Sequence, residues 1–198
     1  MSQLSLLEKA ENYVTELFQN TNTAGLYYHS FSHTLSIVEA SRIAAESVKL
    51  SEKETEVLVL AAWFHDVGYL STRVEHEAKS IEMTQNALKP NYIDLIEPVT
   101  TCIAATKVGE IPKSNLAAIL KDVDTAFGSA YNYVQTSNSY RKELSVLEKK
   151  IYSDSDWYSM CVAFLEKVTF YSEYGIERFT PLVKKNLEIY LAREECVK

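Results

Sequence analysis

Val57-Leu58-Val59-Leu60-Ala61-Ala62-Trp63-Phe64-His65-Asp66 is the stretch that decides the fold. Its first eight residues are apolar on every side of a helix, and such a helix belongs in a protein interior. The run then ends in an imidazole and a carboxylate. Each needs a partner, because a buried polar group left unpaired costs roughly 1–3 kcal/mol and an unpaired charge costs more. A divalent cation satisfies both at once. The other three histidines, His29, His33 and His76, fall within forty residues or so of this pair, and the chain has only four.

Helical periodicity extends outward in both directions. Apolar residues recur at helical spacing over Leu4–Asn20, Ser32–Val48, Ser51–Asp66, Val74–Leu88, Tyr92–Thr106, Asn115–Phe127, Ser139–Ile151, Asp154–Val168 and a last helix through Phe179–Leu191. Ser30 or Ser32 caps the second of these, Gly68 stops the third and Pro90 closes the fourth. Gly128–Asn138 reads either as helix or as a bend, and Tyr171–Gly175 as a tyrosine-bearing loop. With five Gly and four Pro in 198 residues, an all-β fold rich in tight turns is excluded. The expected class is all-α, a multi-helix bundle in one domain over 1–198. Its metal-site core lies at about 26–130, with C-terminal helices over 139–195 packed on it.

The net charge of −7 and the absence of a basic run argue against binding long nucleic acid. They leave room for a small phosphorylated substrate, because a bound cation supplies local positive charge. Cys102, Cys161 and Cys196 form no metal-ribbon spacing and read as free thiols of a reducing cytoplasm. Met1–Ala10 is unlike a signal peptide, and no apolar run reaches the ~18–20 residues of a membrane helix. The expected location is cytoplasmic, without membrane attachment.

Further ligands are sought from polar groups at interior positions. His33 shares a helix face with Ile37, Ala40 and Ala44, so it points to the core. A lone histidine there is more often a hydrogen-bonded core residue than a ligand, but the His65-Asp66 pair on a neighbouring helix changes that reading. Two imidazoles and a carboxylate form a suitable partial shell for a catalytic divalent ion. Another acid is expected from Lys121-Asp122-Val123-Asp124. Asp122 and Asp124 flank the stripe of Leu116, Ile119, Leu120, Val123 and Phe127 on opposite sides, and helical phase does not settle between them.

The order His33, His65-Asp66, Asp124 resembles the HD superfamily of metal-dependent phosphohydrolases. Tyr28-His29-Ser30-Phe31-Ser32-His33-Thr34 is similar to its first-histidine segment. Ala61-Ala62-Trp63-Phe64-His65-Asp66-Val67-Gly68-Tyr69 is similar to its dyad helix and exit. His76-Glu77-Ala78-Lys79-Ser80 resembles the next segment, and Asp122-Val123-Asp124 the final aspartate motif, whose second acid is the usual ligand. Ala105-Thr106-Lys107 resembles a segment of bacterial HD-domain proteins, some of which carry membrane segments and are discussed in cyclic-nucleotide signalling. The resemblance implies that His33, His65, Asp66 and Asp124 bind one divalent ion, drawn from Mn, Mg, Fe, Co or Ni. Such an ion polarises a phosphoryl oxygen and turns a bound water into a nucleophile near neutral pH. Dinuclear members add histidines between the dyad and the last aspartate. Cys102-Ile103-Ala104-Ala105-Thr106-Lys107 has none, which favours a single metal.

The remaining candidates surround this set. His29, four residues before His33, is a proton donor to a leaving oxygen or a phosphate ligand; a helix reaching back that far would turn both the same way. His76, off the stripe of Val74, Ala78, Ile81 and Leu88, is the other donor, with Glu77 beside it. Asp66 is also a candidate to orient water. Lys107 reads as a point charge for a substrate phosphate, with Thr106 adjacent, or as a solvated helix end. Arg141 and Lys142, read as opening a helix, hint faintly at an anion site. Tyr131, Tyr133, Tyr140, Tyr171 and Tyr174 read mainly as packing residues. The expected function is hydrolysis of a small phosphate ester, a nucleotide above all. The alternatives are a phosphodiesterase acting on cyclic or other nucleotides, and a non-catalytic sensor that binds metal and nucleotide. The sequence leaves oligomeric state open.

Overall fold

The structure is a computed structural model that describes residues 4–89 and 91–197. Among them are nine α-helices, one 3-10 turn and no strand. The helices are α1 (Leu6–Asn20), α2 (Phe31–Ser47), α3 (Glu52–Phe64), α4 (His76–Leu88), α5 (Ile93–Thr106), α6 (Asn115–Phe127), α7 (Tyr133–Leu147), α8 (Asp154–Leu165) and α9 (Glu173–Val197). Caps set several of the starts. Ser5 with Glu8 and Ser51 with Glu54 form reciprocal capping boxes on α1 and α3, and the Ser30, Ser114 and Ser153 hydroxyls accept from the first turns of α2, α6 and α8. Each such cap contributes about 1 kcal/mol by giving an orphan N–H an acceptor.

α3 is the axis of the core. Val57 through Phe64 are all buried, as an all-round apolar helix demands. α1, α2, α5 and α6 pack around it, α4 lies against α5, and α9 packs on α8 and α6. None of the helices among the described residues is long and apolar enough to cross a membrane.

Four elements, α4, α7, α8 and α9, differ from the periodicity reading. α4 starts at His76, and it buries Glu77, Ser80, Thr84 and Leu88 while Val74 and Ala78 are exposed. Hydroxyls tolerate this burial because they bond to backbone: Ser80 Oγ accepts from Gly68 N at 2.9 Å, and Thr84 Oγ1 donates to Ser80 O at 2.7 Å. Gly68 is where α4 meets the dyad turn; a Cβ there would lie 2.1 Å from His76 O. Pro90, read as closing α4, lies outside the described residues, as do Met1–Gln3.

α7 starts at Tyr133 and ends at Leu147, not over 139–151. Its first turns carry Gln135, Thr136, Ser137 and Asn138, from the stretch that reads either as helix or as a bend. Thr136 Oγ1 and Ser137 Oγ donate back to carbonyls one turn earlier, so the hydroxyls remain satisfied inside a helix. Arg141 and Lys142 thus sit mid-helix. Arg141 pairs with Asp154 at 2.7 Å, and Lys142 Nζ lies 3.9 Å from the Tyr27 ring centroid. α9 begins at Glu173, inside the supposed tyrosine loop, and α8 stops at Leu165.

Candidate metal centre and its cavity

The Ser30 cap fixes the first turn of α2 so that His33 enters the core beside Thr34 and Ile37. His65 caps the C-terminus of α3, and Asp66 leaves the helix into the 3-10 turn Val67–Leu70, its carbonyl accepting from Tyr69 N. These three side chains are 1%, 0% and 6% exposed by residue. Polar groups this deep must answer one another.

They do so at a single point. His33 Nε2 and His65 Nε2 are 3.1 Å apart, and Asp66 Oδ2 is 3.3 Å from each. Asp124 Oδ1, from α6, lies 3.3 Å from His33 Nε2 and 3.8 Å from His65 Nε2. The His65 Nδ1–H donates to Ala62 O at 2.8 Å, which directs the Nε2 lone pair into the cluster. His33 Nδ1 is buried without a hydrogen-bond partner among the described residues. Ligand atoms of His33, His65 and Asp66 all lie within 4.8 Å of one another, a group fit to hold a metal ion. Two imidazole nitrogens facing each other across two carboxylates are a donor set suited to a divalent ion.

The electrostatics agree. Burial disfavours the His33 cation, but Asp124 and Asp66 outweigh it and raise the imidazole to a pKa of about 9. His65 is raised in the same way, against burial, by Asp66 first and Asp124 after it. Burial opposes ionisation of Asp66, yet His65, His33 and His76 hold it well below the usual carboxylate range. Positive charge is what this cluster calls for, whether protons or a cation.

Asp122 and Asp124, one turn's fraction apart on α6, have separate surroundings. Asp122 is fully buried, and its carboxylate accepts from Tyr171 N, Ser172 N and Ser172 Oγ at 2.6–3.0 Å. It thereby ties the α8–α9 connection to α6. Gly175 packs so close that a Cβ would lie 2.3 Å from Asp122 Oδ2.

A cavity of about 560 Å³ opens on the cluster. Its lining includes the polar side chains Asp66, Asp124, His29, His76, Glu77 and Thr106, the tyrosines Tyr28, Tyr69, Tyr133 and Tyr140, and the apolar Trp157, Met160 and Phe164. His76 Nε2 stands 3.4 Å from Asp66 Oδ1 and 3.5 Å from Glu77 Oε1. The Thr106 hydroxyl donates to Ile103 O. His29 precedes α2 and does not share a helix face with His33. Its Nδ1 contacts Glu143 Oε1 of α7, and its ring stacks on Tyr69.

Lys107 is not brought to this wall. Its ammonium pairs with exposed Glu75 at 2.6 Å, and its carbonyl accepts from buried Lys121. The cavity's one Lys or Arg among the described residues is Arg73, whose guanidinium stands 3.9 Å from Glu148. Arg73 and Glu143 escaped the sequence reading. Arg73 lies in the irregular link before His76, and Glu143 meets His29 across 114 positions of chain; no local pattern marks either.

A family model described as HD domain matches residues 30–160, well over half the chain and all four clustered side chains. No curated protein and no solved structure matches the chain. The all-helical architecture, the buried histidine–aspartate cluster and this match agree: the chain belongs to the HD-domain family, within the metal-dependent phosphohydrolase superfamily.

Proposed function

We propose that this protein hydrolyses a small phosphate ester, of the nucleotide class, with one divalent ion held by His33, His65, Asp66 and Asp124. The observation that carries the reading is the convergence of those four side chains beside a cavity that Asp66 and Asp124 line together with tyrosines, Trp157 and Phe164. Phosphate chemistry belongs beside the clustered acids and imidazoles, and a flat, partly apolar group suits the aromatic part of the lining. When bound, the ion supplies a Lewis acid toward a phosphoryl oxygen and acidifies water. Its identity among Mn, Mg, Fe, Co and Ni is left to elemental analysis.

The chain supplies the rest. Asp66 turns its second oxygen, Oδ1, toward His76 and is placed to orient water. His29 and His76 are the candidate proton donors to the leaving oxygen. Arg73 takes the phosphate-binding role first read for Lys107, because a guanidinium fork on the cavity wall can bind two oxygens. Thr106 and Glu77 add polar groups to the same lining. We read α7 and α8 as part of the same domain, since both line the cavity, and the protein as cytoplasmic. The test is phosphate release from a nucleotide panel under each candidate metal. Release from none under any metal would leave the non-catalytic sensor as the better reading. The diesterase reading gains if two ions bind, and a metal-to-protein ratio near two favours it.

Two expected outcomes follow. Arg73→Ala raises KM about 10-fold or more through loss of a charged hydrogen-bonding partner, whereas Lys107→Ala leaves KM within about twofold because its partner is Glu75 at the surface. Steady-state kinetics check both.

The second concerns pH. His33 holds its proton up to a pKa of about 9, so ion binding must release it. Apparent metal affinity rises with pH below that value, by about tenfold per unit for each proton displaced. In the metal-free protein the sign reverses. The raised His33 pKa stabilises the fold below the unfolded value of about 6.5, and this contribution is lost as pH rises through about 9. Calorimetric titration with manganese in buffers of different ionisation enthalpy measures the proton release.

A further inference from the structure

Glu143 is a carboxylate 1% exposed in the middle of α7, and no local sequence pattern suggests a task for it. Its Oε2 accepts from the backbone N–H groups of Tyr28 and His29 at 2.8 and 3.0 Å, and its Oε1 lies 2.5 Å from His29 Nδ1. One buried group thus fixes both the backbone that leads into α2 and the imidazole that this backbone carries. The Tyr69 ring closes the other side, stacked at 3.8 Å and 14° on the His29 ring. The carboxylate is kept ionised: burial opposes this, but His29 and the two backbone N–H groups hold Glu143 below its ordinary range.

The ring has one nitrogen left. With the Nδ1–H donated to Glu143, the proton that His29 can deliver is the one on Nε2, which has no hydrogen-bond partner among the described residues, and His29 lines the cavity. His76 differs. Its Nδ1 faces Arg73 O at 3.2 Å, and its Nε2 stands between Asp66 Oδ1 and Glu77 Oε1. Both of its nitrogens are committed.

We infer that Glu143 is a positioning residue that holds His29 as the proton donor to the leaving oxygen, and that His76 does not fill that role. The inference rests on the phosphohydrolase reading. In the step assigned, the P–O bond to the leaving group breaks and its electron pair stays on that oxygen. A new P–O bond forms to the oxygen of water. The leaving oxygen takes the proton from His29 Nε2, and the proton shed by water returns to the ring through solvent. Ester and water become alcohol and phosphate.

The test compares leaving groups. Manganese-loaded wild type, Glu143→Gln, Glu143→Asp, His29→Gln and the double variant Glu143→Gln/His29→Gln are assayed on phenyl phosphate and on para-nitrophenyl phosphate, whose departing oxygen has little need of a proton. Glu143→Gln is expected to lower kcat at least ~30-fold on phenyl phosphate and less than ~5-fold on the nitrophenyl ester, with KM and metal content little changed. His29→Gln shows the same split, the double variant is no slower than the slower single, and Glu143→Asp recovers part of the loss. Equal losses on both esters, additive losses in the double variant, or no loss overturn the assignment of Glu143. A merely structural role for Glu143 would slow both esters alike. If Glu143→Gln does not fold, the split in His29→Gln and its absence in His76→Gln decide the matter. A wild-type protein that hydrolyses neither ester nor any nucleotide overturns the phosphohydrolase reading itself, and the assignment with it.

Discussion

Replacing His65 or Asp66 with alanine is expected to strip the protein of its divalent ion and to lower turnover at least ~10³-fold, while far-UV circular dichroism is unchanged. The loss is large because the proposed chemistry depends on the ion that these two residues would help to hold. His65 Nε2 and Asp66 Oδ2 are 3.3 Å apart, and each also faces His33 Nε2. The fold should survive, since α3 is anchored by Val57 through Phe64, all buried before the dyad begins. The turn after it is held by backbone, through Asp66 O and Tyr69 N at 2.9 Å. Elemental analysis and a turnover assay on the same preparation make the check. Alanine variants that kept both their metal and their rate would contradict the assignment.

The second large effect separates two acids two residues apart. Asp122→Ala is expected to destabilise the protein by about 3 kcal/mol, because two backbone N–H groups and the Ser172 hydroxyl lose a buried charged acceptor. For a chain of this size that is a fall in Tm of roughly 6–12 °C. The folded variant should still bind metal. Asp124→Asn is expected to do the reverse: Tm within about 2 °C of wild type and metal affinity at least ~100-fold weaker, because Asp124 Oδ1 faces both imidazoles rather than the α8–α9 connection. Thermal unfolding and metal titration of the two variants give a double dissociation. An Asp124 variant that retained full affinity would remove this residue from the ligand set.

That contrast also shows what could be read from the chain. α3 and α6 were legible because an all-round apolar run and a one-sided stripe each admit one burial, and the observed α6 has the boundaries its stripe implies. Phase alone left Asp122 and Asp124 open, since both flank that stripe. What separates them is a need that arises fifty residues later, where the α8–α9 connection presents N–H groups with nowhere else to bond. The start of α7 stays open in the sequence because its first turns are polar, and only their back-bonding hydroxyls show that a helix tolerates them. Glu143 falls within the expected helix, but its partner His29 lies 114 positions away. His29 was singled out for its spacing from His33, but the helix starts after it, and what orients it is a carboxylate from α7. Lys107 followed from its place at a helix end. The structure pairs it with Glu75, thirty-two residues earlier, and leaves Arg73 as the cation on the cavity wall.

Growth of crystals in manganese, followed by an anomalous difference map at the manganese edge, tests the central claim most directly. The account predicts one peak per chain within coordination distance of His33 Nε2, His65 Nε2 and carboxylate oxygens of Asp66 and Asp124. No peak there under saturating manganese, or a peak that leaves Asp124 out of reach, would contradict it.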